Sequence, residues 1–452
     1  MSTHPIPGPD IQAGRLTPAQ YQAAFADAVP PLTAQQAVLE AQRCLYCFDA
    51  PCATACPTGI DVPSFIHRIG QGNLRGAAQA ILEANPLGGM CARVCPTEEL
   101  CEAVCVRQTQ QGVPVAIGRL QRHAVDAVMP QPQSALFQRA PASGRRVAVV
   151  GAGPAGLACA HGLALKGHEV TLFDAHAKAG GLNEYGLATY KTVDQFAQRE
   201  IDWLLGIGGI TVQTGWTLDS AAQLEALRAG YDAVFLGIGL AAVNRPELPG
   251  SGLDGVRDAV DFIAELRQCP DLSTLPVGRR VVVIGGGMTA VDAAVQSRLL
   301  GAREVHMVYR RGPEAMGASV EEQDWARKNG VTITHWLAPV AFEGGQGALR
   351  AVRFERQQQV NGRLQGSGEF ETLAADTVLL AVGQKLASAP WLQGLRLEGG
   401  RIAVDAQGRT SLERVWAGGD CVGGGRDLTV EAVEDGKQAA LAIHATLSSP
   451  TA

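Results

Sequence analysis

The chain has 452 residues, of which 18% are charged and 5% aromatic, with 54 glycines and a formal net charge of −6. Such a length makes about two to four domains, and the glycine content suits an α/β protein with many tight turns, not a coiled coil or a disordered chain. The acidic balance leaves no basic footprint for nucleic acid or for an anionic membrane surface.

The opening stretch MSTHPIPGPDIQAGRLTPAQ has no charged head followed by an apolar run. No uninterrupted apolar stretch of about eighteen residues follows, so the expectation is a cytoplasmic protein without leader or membrane span. Residues 16–43 read as largely helical, with Thr33 as N-cap before AQQAVLEAQR. Two runs then concentrate eight of the eleven cysteines: CLYCFDAPCATACP from Cys44 and CARVCPTEELCEAVC from Cys91. Cys159, Cys269 and Cys421 stand apart, and the first two read as packing. In a reducing compartment clustered thiols bind metal more often than they pair. Zinc needs four ligands, and Cys44 with Cys47 would make one CxxC half of such a site. But Cys52 and Cys56-Pro57 follow at once, and Cys95-Pro96 repeats the Cys-Pro step. That series is close to the bacterial ferredoxin run, in which three thiolates hold one cubane and the fourth reaches a second. The spacing favours two [4Fe–4S] clusters over zinc, with all eight thiols as candidates.

VPSFIHRIGQGNLRGAAQAILEAN, between the runs, has helical periodicity, and Ile117 to Val128 is a further amphipathic helix. Met129 to Arg146 is Pro- and Ser-bearing without periodicity and reads as a linker.

Beyond it the grammar is strand, glycine turn, helix, strand, and it occurs twice. The first loop, Gly151-Ala152-Gly153-Pro154-Ala155-Gly156, follows the apolar run Val147 to Val150, and Asp174 ends the next strand. In such a loop the first glycine permits the turn, the second admits a pyrophosphate and the third lets helix pack on strand. The second loop is Gly285-Gly286-Gly287-Met288-Thr289-Ala290, with Arg310 and Arg311 where an acid would end the strand. Arginine there suits a 2′-phosphate, or it lies along the adenine or pairs on the surface. Two loops imply two dinucleotides, most economically a held FAD and a transient nicotinamide. In WAGGDCVGGG, Asp420 is placed for the ribityl chain, and the helix from Thr429 aims its N-terminus at the isoalloxazine.

With these motifs, and with IGRLQ and TVEAVEDGKQAA, the chain from about Ala41 to Thr446 resembles the FAD and iron–sulfur half of dihydropyrimidine dehydrogenase, a separate subunit in many bacteria. More distantly it resembles the glutamate synthase small subunit. The resemblance implies one cluster on Cys44, Cys47, Cys52 and Cys105. The other would take Cys56, Cys95, Cys101 and Gln121, with Cys91 a bystander. It implies FAD on Gly151 to Ala155, Asp174, Gly180, Gly181, Leu182, Gly419, Asp420 and Thr429. For the nicotinamide it implies Gly286, Gly287, Thr289, Arg310, Arg311 and Ala381-Val382-Gly383. Lys191 and Glu431 would position flavin or nicotinamide, or serve structure alone. The chain departs from the family at Ala188, where a proline is common, and at Gly317, where NADPH-using relatives carry arginine. The second departure tilts the donor toward NADH, with NADPH possible.

The expected fold is α/β. A helical bis-[4Fe–4S] domain (1–135) precedes an FAD domain (145–240 and 386–452) that is interrupted by an NAD(P)H domain (241–385), in the manner of the pyridine nucleotide-disulfide oxidoreductases. The expected function is the electron input of dihydropyrimidine dehydrogenase. No side chain acts as nucleophile or general acid, and a heterotetramer forms with a subunit that carries FMN and iron–sulfur clusters and reduces uracil and thymine. A glutamate synthase small subunit, a free-standing NAD(P)H:ferredoxin-type oxidoreductase and a zinc-bearing dinucleotide-binding scaffold are the alternatives.

Overall fold

The computed structural model describes residues 16–449. Most of the opening stretch that reads as leaderless lies outside the described residues, as do the ends of the first and last expected domains. The chain forms two units. The first comprises the chain up to Ala28, then Tyr185–Val193 and Val243–Gln384; the second comprises Val29–Glu184, Asp194–Ala242 and the chain from Lys385.

In the second unit the apolar run Arg146–Val150 is the middle strand of a five-stranded parallel sheet. Ala233–Leu236 and Val415–Ala417 lie to one side of it, Glu169–Phe173 and Ile210–Gln213 to the other. Val147 to Val149 and Ala233 to Leu236 are fully buried, as expected for strands covered on both faces. The helix Pro154–Leu165 has Ala155, Leu157, Ala158, Ala160 and Leu163 all buried. It lies between the sheet and the helix Thr429–Ser448, with which it shares one core. Small residues set that approach: a Cβ on Gly436 would stand 2.0 Å from the Ala155 carbonyl oxygen, and one on Gly162 3.0 Å from Ala440 Cβ.

The cysteine-bearing helices belong to this same unit. Their core is Phe65, Ile66, Ile69, Ile81, Leu82, Ile117, Leu120 and Val125, each such side chain contributing about 1.5–3 kcal/mol on burial. The stretch after the first cysteine run is two helices, Val62–Gly70 and Leu74–Ala84. Gly72, at φ +74°, breaks the pattern, and Asn73 starts the second helix by accepting from Gly76 N. Thr33 caps Ala34–Ala41, as the sequence predicts, in a reciprocal box with Gln36. The helix Ile117–Val128 also falls where its periodicity places it. The expected linker is non-helical apart from one turn, yet it is pinned. Arg139 donates to the carbonyls of Ala164, Gly167 and His168, and Gln133 bonds His161 at 2.7 Å.

In the first unit Arg280–Ile284 plays the same central role. Thr377–Leu380 and Val256–Asp258 lie on one side, Glu304–Tyr309 and Thr332–His335 on the other, all parallel. The two sheets thus share the order of four strands around their glycine loops, while the outer fifth strand comes last in the chain in one and first in the other. An antiparallel three-stranded ribbon, Leu337–Gly345, Ala348–Val360 and Arg363–Ala374, is added here. The helix Pro18–Ala24 packs in this unit, with Tyr21 and Phe25 in its core. Among the described residues no helix is long and apolar enough to cross a membrane.

Candidate redox centre

Both glycine loops sit where a strand ends and the strand order reverses, the crevice that open α/β sheets use for ligands. Gly151 takes φ +98°, and a Cβ on it would stand 2.3 Å from the Gly237 carbonyl oxygen. A Cβ on Gly156 would stand 1.8 Å from Gly151 O, whereas one on Gly153 meets nothing closer than Gly181 Cα at 3.8 Å. The first and third glycines are therefore set by the protein's own packing, and the second leaves the open approach that a phosphate needs. Gly180 and Gly181 complete this wall, with Gly180 N donating to Ala152 O at 2.8 Å, and Leu182 is exposed beside them. Asp174 is buried and accepts from Ala152 N at 2.7 Å and His176 N at 2.8 Å, leaving lone pairs for a ribose.

Gly419, at φ +75°, donates to Asp435 at 2.8 Å. Burial, with Asp427 nearby, pushes the Asp420 carboxyl up to about 6. Thr429 donates to Asn183 Oδ1 at 2.8 Å. This cradle of glycines and backbone N–H groups fits a dinucleotide.

In the first unit Gly285 lies under the Ala381 carbonyl, a Cβ there being 2.3 Å from its oxygen. Gly286 lies against the Tyr309 ring, while Gly287 has open space. Thr289 is in the first turn of the helix Met288–Leu299. Val382 and Gly383 are exposed at the end of their strand, and Arg310 and Arg311 are exposed beyond theirs. Lys191 is committed to Asp292 and Glu322, each at 2.8 Å, which leaves its ammonium one further N–H.

The cysteines form two neighbouring groups. Cys44, Cys47, Cys52 and Cys105 line one small pocket, partly open to solvent, with Val62, Ile66 and Ile117 as apolar wall. Burial, with Cys44 and Cys105 beside it, pushes the Cys52 thiol up to about 11. Cys95 is raised by its hydrogen bond with Cys91, by burial, and by Cys101 and Cys56. Cys101 is raised by burial, then by Glu102, Cys56 and Cys52. Thiols so crowded keep their protons until a cation removes them, as coordinated metal does.

Among the described residues no three thiol, imidazole or carboxyl groups converge on one metal-sized point. The donor set is soft sulfur in apolar surroundings, which fits iron–sulfur clusters. One orphan supports the fit: Asn85 is fully buried beside this region, and its Nδ2 has no partner among the described residues. Gln121 is buried and donates to Gly88 O at 2.7 Å. Cys91 lies in the second group, packed on Leu100 and Val430 with Cys95. Cys159 is core, but Cys269 is half-exposed, its thiol on the Asp271 carbonyl at 3.1 Å rather than packed.

Sequence reasoning missed the groups that tie these helices to the flavin module. Lys437 donates to the carbonyls of Thr58 and Ala84 at 3.0 and 2.9 Å. Glu200, fully buried, accepts from Gly89 and Met90 N. Burial pushes Glu200 from its ordinary 4.5 up to about 8, although those N–H groups and Arg93 pull it down. A carboxyl raised on folding stabilises most below its unfolded pKa, and that stability is lost as pH rises through the folded value. Between about pH 4.5 and 8 the native chain is therefore expected to lose stability relative to Glu200→Gln. Urea midpoints from pH 5 to 9 check this, and parallel curves for the two chains would refute it.

The comparisons agree with this geometry. Residues 145–436 match the family model "pyridine nucleotide-disulphide oxidoreductase", and residues 21–132 match "dihydropyrimidine dehydrogenase domain II, 4Fe-4S cluster". The chain is 36% identical to the NAD-dependent dihydropyrimidine dehydrogenase subunit PreT of Escherichia coli, over 92% of its length and 95% of that protein. It is 32% identical to the glutamate synthase [NADPH] small chain of Halomonas elongata, over 95% of this chain and 96% of that one. Among solved structures, FprA of Mycobacterium tuberculosis shares the fold at a TM-score of 0.56 and 20% identity, over 67% of this chain and 84% of that one. Two loops built for dinucleotides, two groups of cysteines and these matches have one reading: the chain belongs to the pyridine nucleotide-disulphide oxidoreductase family, as an NAD(P)H- and FAD-dependent oxidoreductase with an N-terminal 4Fe-4S domain.

Proposed function

We propose that the chain is the electron-input subunit of a dihydropyrimidine dehydrogenase. It takes electrons from NADH and delivers them to an FMN- and iron–sulfur-bearing partner that reduces uracil or thymine to the 5,6-dihydropyrimidine. When bound, flavin and clusters supply the conversion of a two-electron donor into single electrons. The chain's residues hold and space these carriers. The first loop, Asp174, Gly180 to Leu182, Gly419, Asp420 and Thr429 hold FAD, with 145–240 and 386–452 as its domain. The second loop, Arg310, Arg311 and Ala381 to Gly383 hold the nicotinamide dinucleotide, with 241–385 as its domain. Cys44, Cys47, Cys52 and Cys105 hold one [4Fe–4S] cluster; Cys56, Cys95, Cys101 and Gln121 hold the other.

One observation carries the reading: the residues make a continuous file within one unit. Leu428 and Val430, flanking Thr429, pack on Cys91 and Cys95. Cys101 feels both Cys56 and Cys52, and Cys52 lines the pocket with Cys44, Cys47 and Cys105. Electrons leaving the flavin side meet the second group and then the first. For the donor, a Cβ on Gly317 would stand 3.8 Å from Gly287 Cα, so the position facing the nucleotide loop offers no cation to a 2′-phosphate. That supports NADH.

The test is anaerobic purification from the native source with whatever partner accompanies the chain. The complex is expected to contain FMN and to oxidise NADH, in preference to NADPH, only when uracil or thymine is added. The isolated chain should reduce artificial dyes with NADH and leave uracil untouched. Uracil consumption by the isolated chain, or a glutamate-forming partner, would overturn the assignment.

A further inference from the structure

We infer that Glu200 is a positioning residue for the second cysteine group: its carboxyl, projecting from the flavin-module helix Phe196–Leu205, clamps the turn that presents Cys91 and Cys95. The inference rests on the proposed reading that this group holds a [4Fe–4S] cluster.

The turn is the short helix Gly88–Val94, and its leading N–H groups have no intrahelical acceptor. Gly88 N finds Asn85 O, and Cys91 N finds Leu87 O. The two between them are taken by Glu200: Oε1 accepts from Gly89 N at 2.7 Å and Met90 N at 3.1 Å, and Oε2 accepts from Met90 N at 3.2 Å. Among the described residues its hydrogen-bond partners all belong to that turn.

Gly89 makes the approach possible. A Cβ there would stand 2.5 Å from Phe196 Cζ and 2.7 Å from Glu200 Oε1. Arg93, on the same turn, lies 3.4 Å over the Phe196 ring and donates to Gly89 O at 3.0 Å. Asp126 holds that guanidinium at 2.8 and 2.9 Å. One helix of the flavin module thus fixes the turn by carboxyl, by ring and through arginine, and Cys95 N closes it on Cys91 O at 3.0 Å.

Burying a carboxyl is costly, and an apolar residue would fill the space at less cost. A hydrogen-bond acceptor is needed because two backbone donors must be held at one spot while the Cys95 thiol, five residues beyond Met90, is kept in the second group. Glutamine supplies the same acceptor atom, and alanine does not.

The experiment uses the full chain, produced anaerobically with its cofactors, as native, Glu200→Gln, Glu200→Ala and Gly89→Ala proteins. Iron, acid-labile sulfide and FAD per chain are measured, with the electron paramagnetic resonance of the reduced protein. The native and E200Q chains are expected to hold about eight irons. E200A and G89A are expected to fall to about four, with FAD unchanged and the signals of the first group intact. Full iron in both E200A and G89A, or equal loss in E200Q and E200A, would overturn the positioning role. If E200A also loses FAD, marking a folding failure, G89A decides. About four irons in the native chain would instead overturn the two-cluster reading, and this inference with it.

Discussion

A Gly156→Val chain is expected to leave purification without flavin. The new Cβ would stand 1.8 Å from the Gly151 carbonyl oxygen and 3.3 Å from Val149 Cγ1, and the first of these is backbone that cannot turn aside. Retreat of the strand is blocked, because Arg146–Val150 is paired on both edges. The helix Pro154–Leu165 cannot lift either, with Gly436 of the next helix closed on Ala155 O. The loop itself must open, and it is the part proposed to cradle the pyrophosphate. Overpacking of this kind costs about 3 kcal/mol, which spent on binding is about a hundredfold in affinity. FAD released per chain, read by absorbance, is the measurement. Gly153→Ala is the control: its Cβ meets only Gly181 Cα at 3.8 Å, so its unfolding midpoint should stay native while FAD weakens through loss of the close phosphate approach. Full flavin in G156V would show that this loop is not the FAD cradle.

What was legible in the sequence was whatever repeats a local grammar. The strand-loop-helix units around Gly151 and Gly285 are read from neighbours in the chain, because turn, apolar run and helix start all fall within a few residues. The same holds for Thr33, whose cap depends on a residue three positions on, and for the periodic helix Ile117–Val128. Contacts made across the chain left no such trace. Glu200 is an ordinary helix residue in FAQREIDWLL until Gly89 is brought against it, and Lys437 is one more charge in EDGKQAA until it reaches Thr58 and Ala84. The grouping of Cys105 with Cys44, Cys47 and Cys52 in one pocket is likewise a product of folding, and only family resemblance points to it in the sequence. Helix breaks are hard to see for a different reason. Apolar periodicity runs straight through Gly72, and only a left-handed glycine followed by a capping Asn73 marks the end.

Lys191 shows how much such a hidden contact can weigh, and Asp292→Ala is expected to cost the first unit about 3–5 kcal/mol, the range for removing one partner from a buried ion pair. Asp292 is almost fully buried in the helix behind the second glycine loop. It accepts from Lys191 at 2.8 Å, from Ala188 N at 3.1 Å and from the Tyr190 hydroxyl at 3.2 Å. Glu322 takes a second N–H of the lysine at 2.8 Å, and Gln296 Oε1 accepts from Thr189 N at 3.0 Å. The segment Ala188–Lys191 is therefore held by polar groups as well as by the core in which Ala188 and Tyr190 are buried, and removing Asp292 takes an acceptor from three donors at once. Burial alone would draw the Lys191 ammonium down, but Asp292, Glu322 and Tyr190 hold it well above its ordinary value. Stability from a raised lysine is present in full below the unfolded value of about 10.4 and fades only above it. The difference between native and D292A chains should accordingly be flat from pH 6 to 9, and urea unfolding of the two at those pH values measures it. Asp292→Asn keeps an acceptor for Ala188 and Tyr190 while losing the charge opposite Lys191, so it should fall between them. A D292A chain within about 0.5 kcal/mol of native, the range of ordinary surface changes, would mean that the segment is held by its apolar contacts alone.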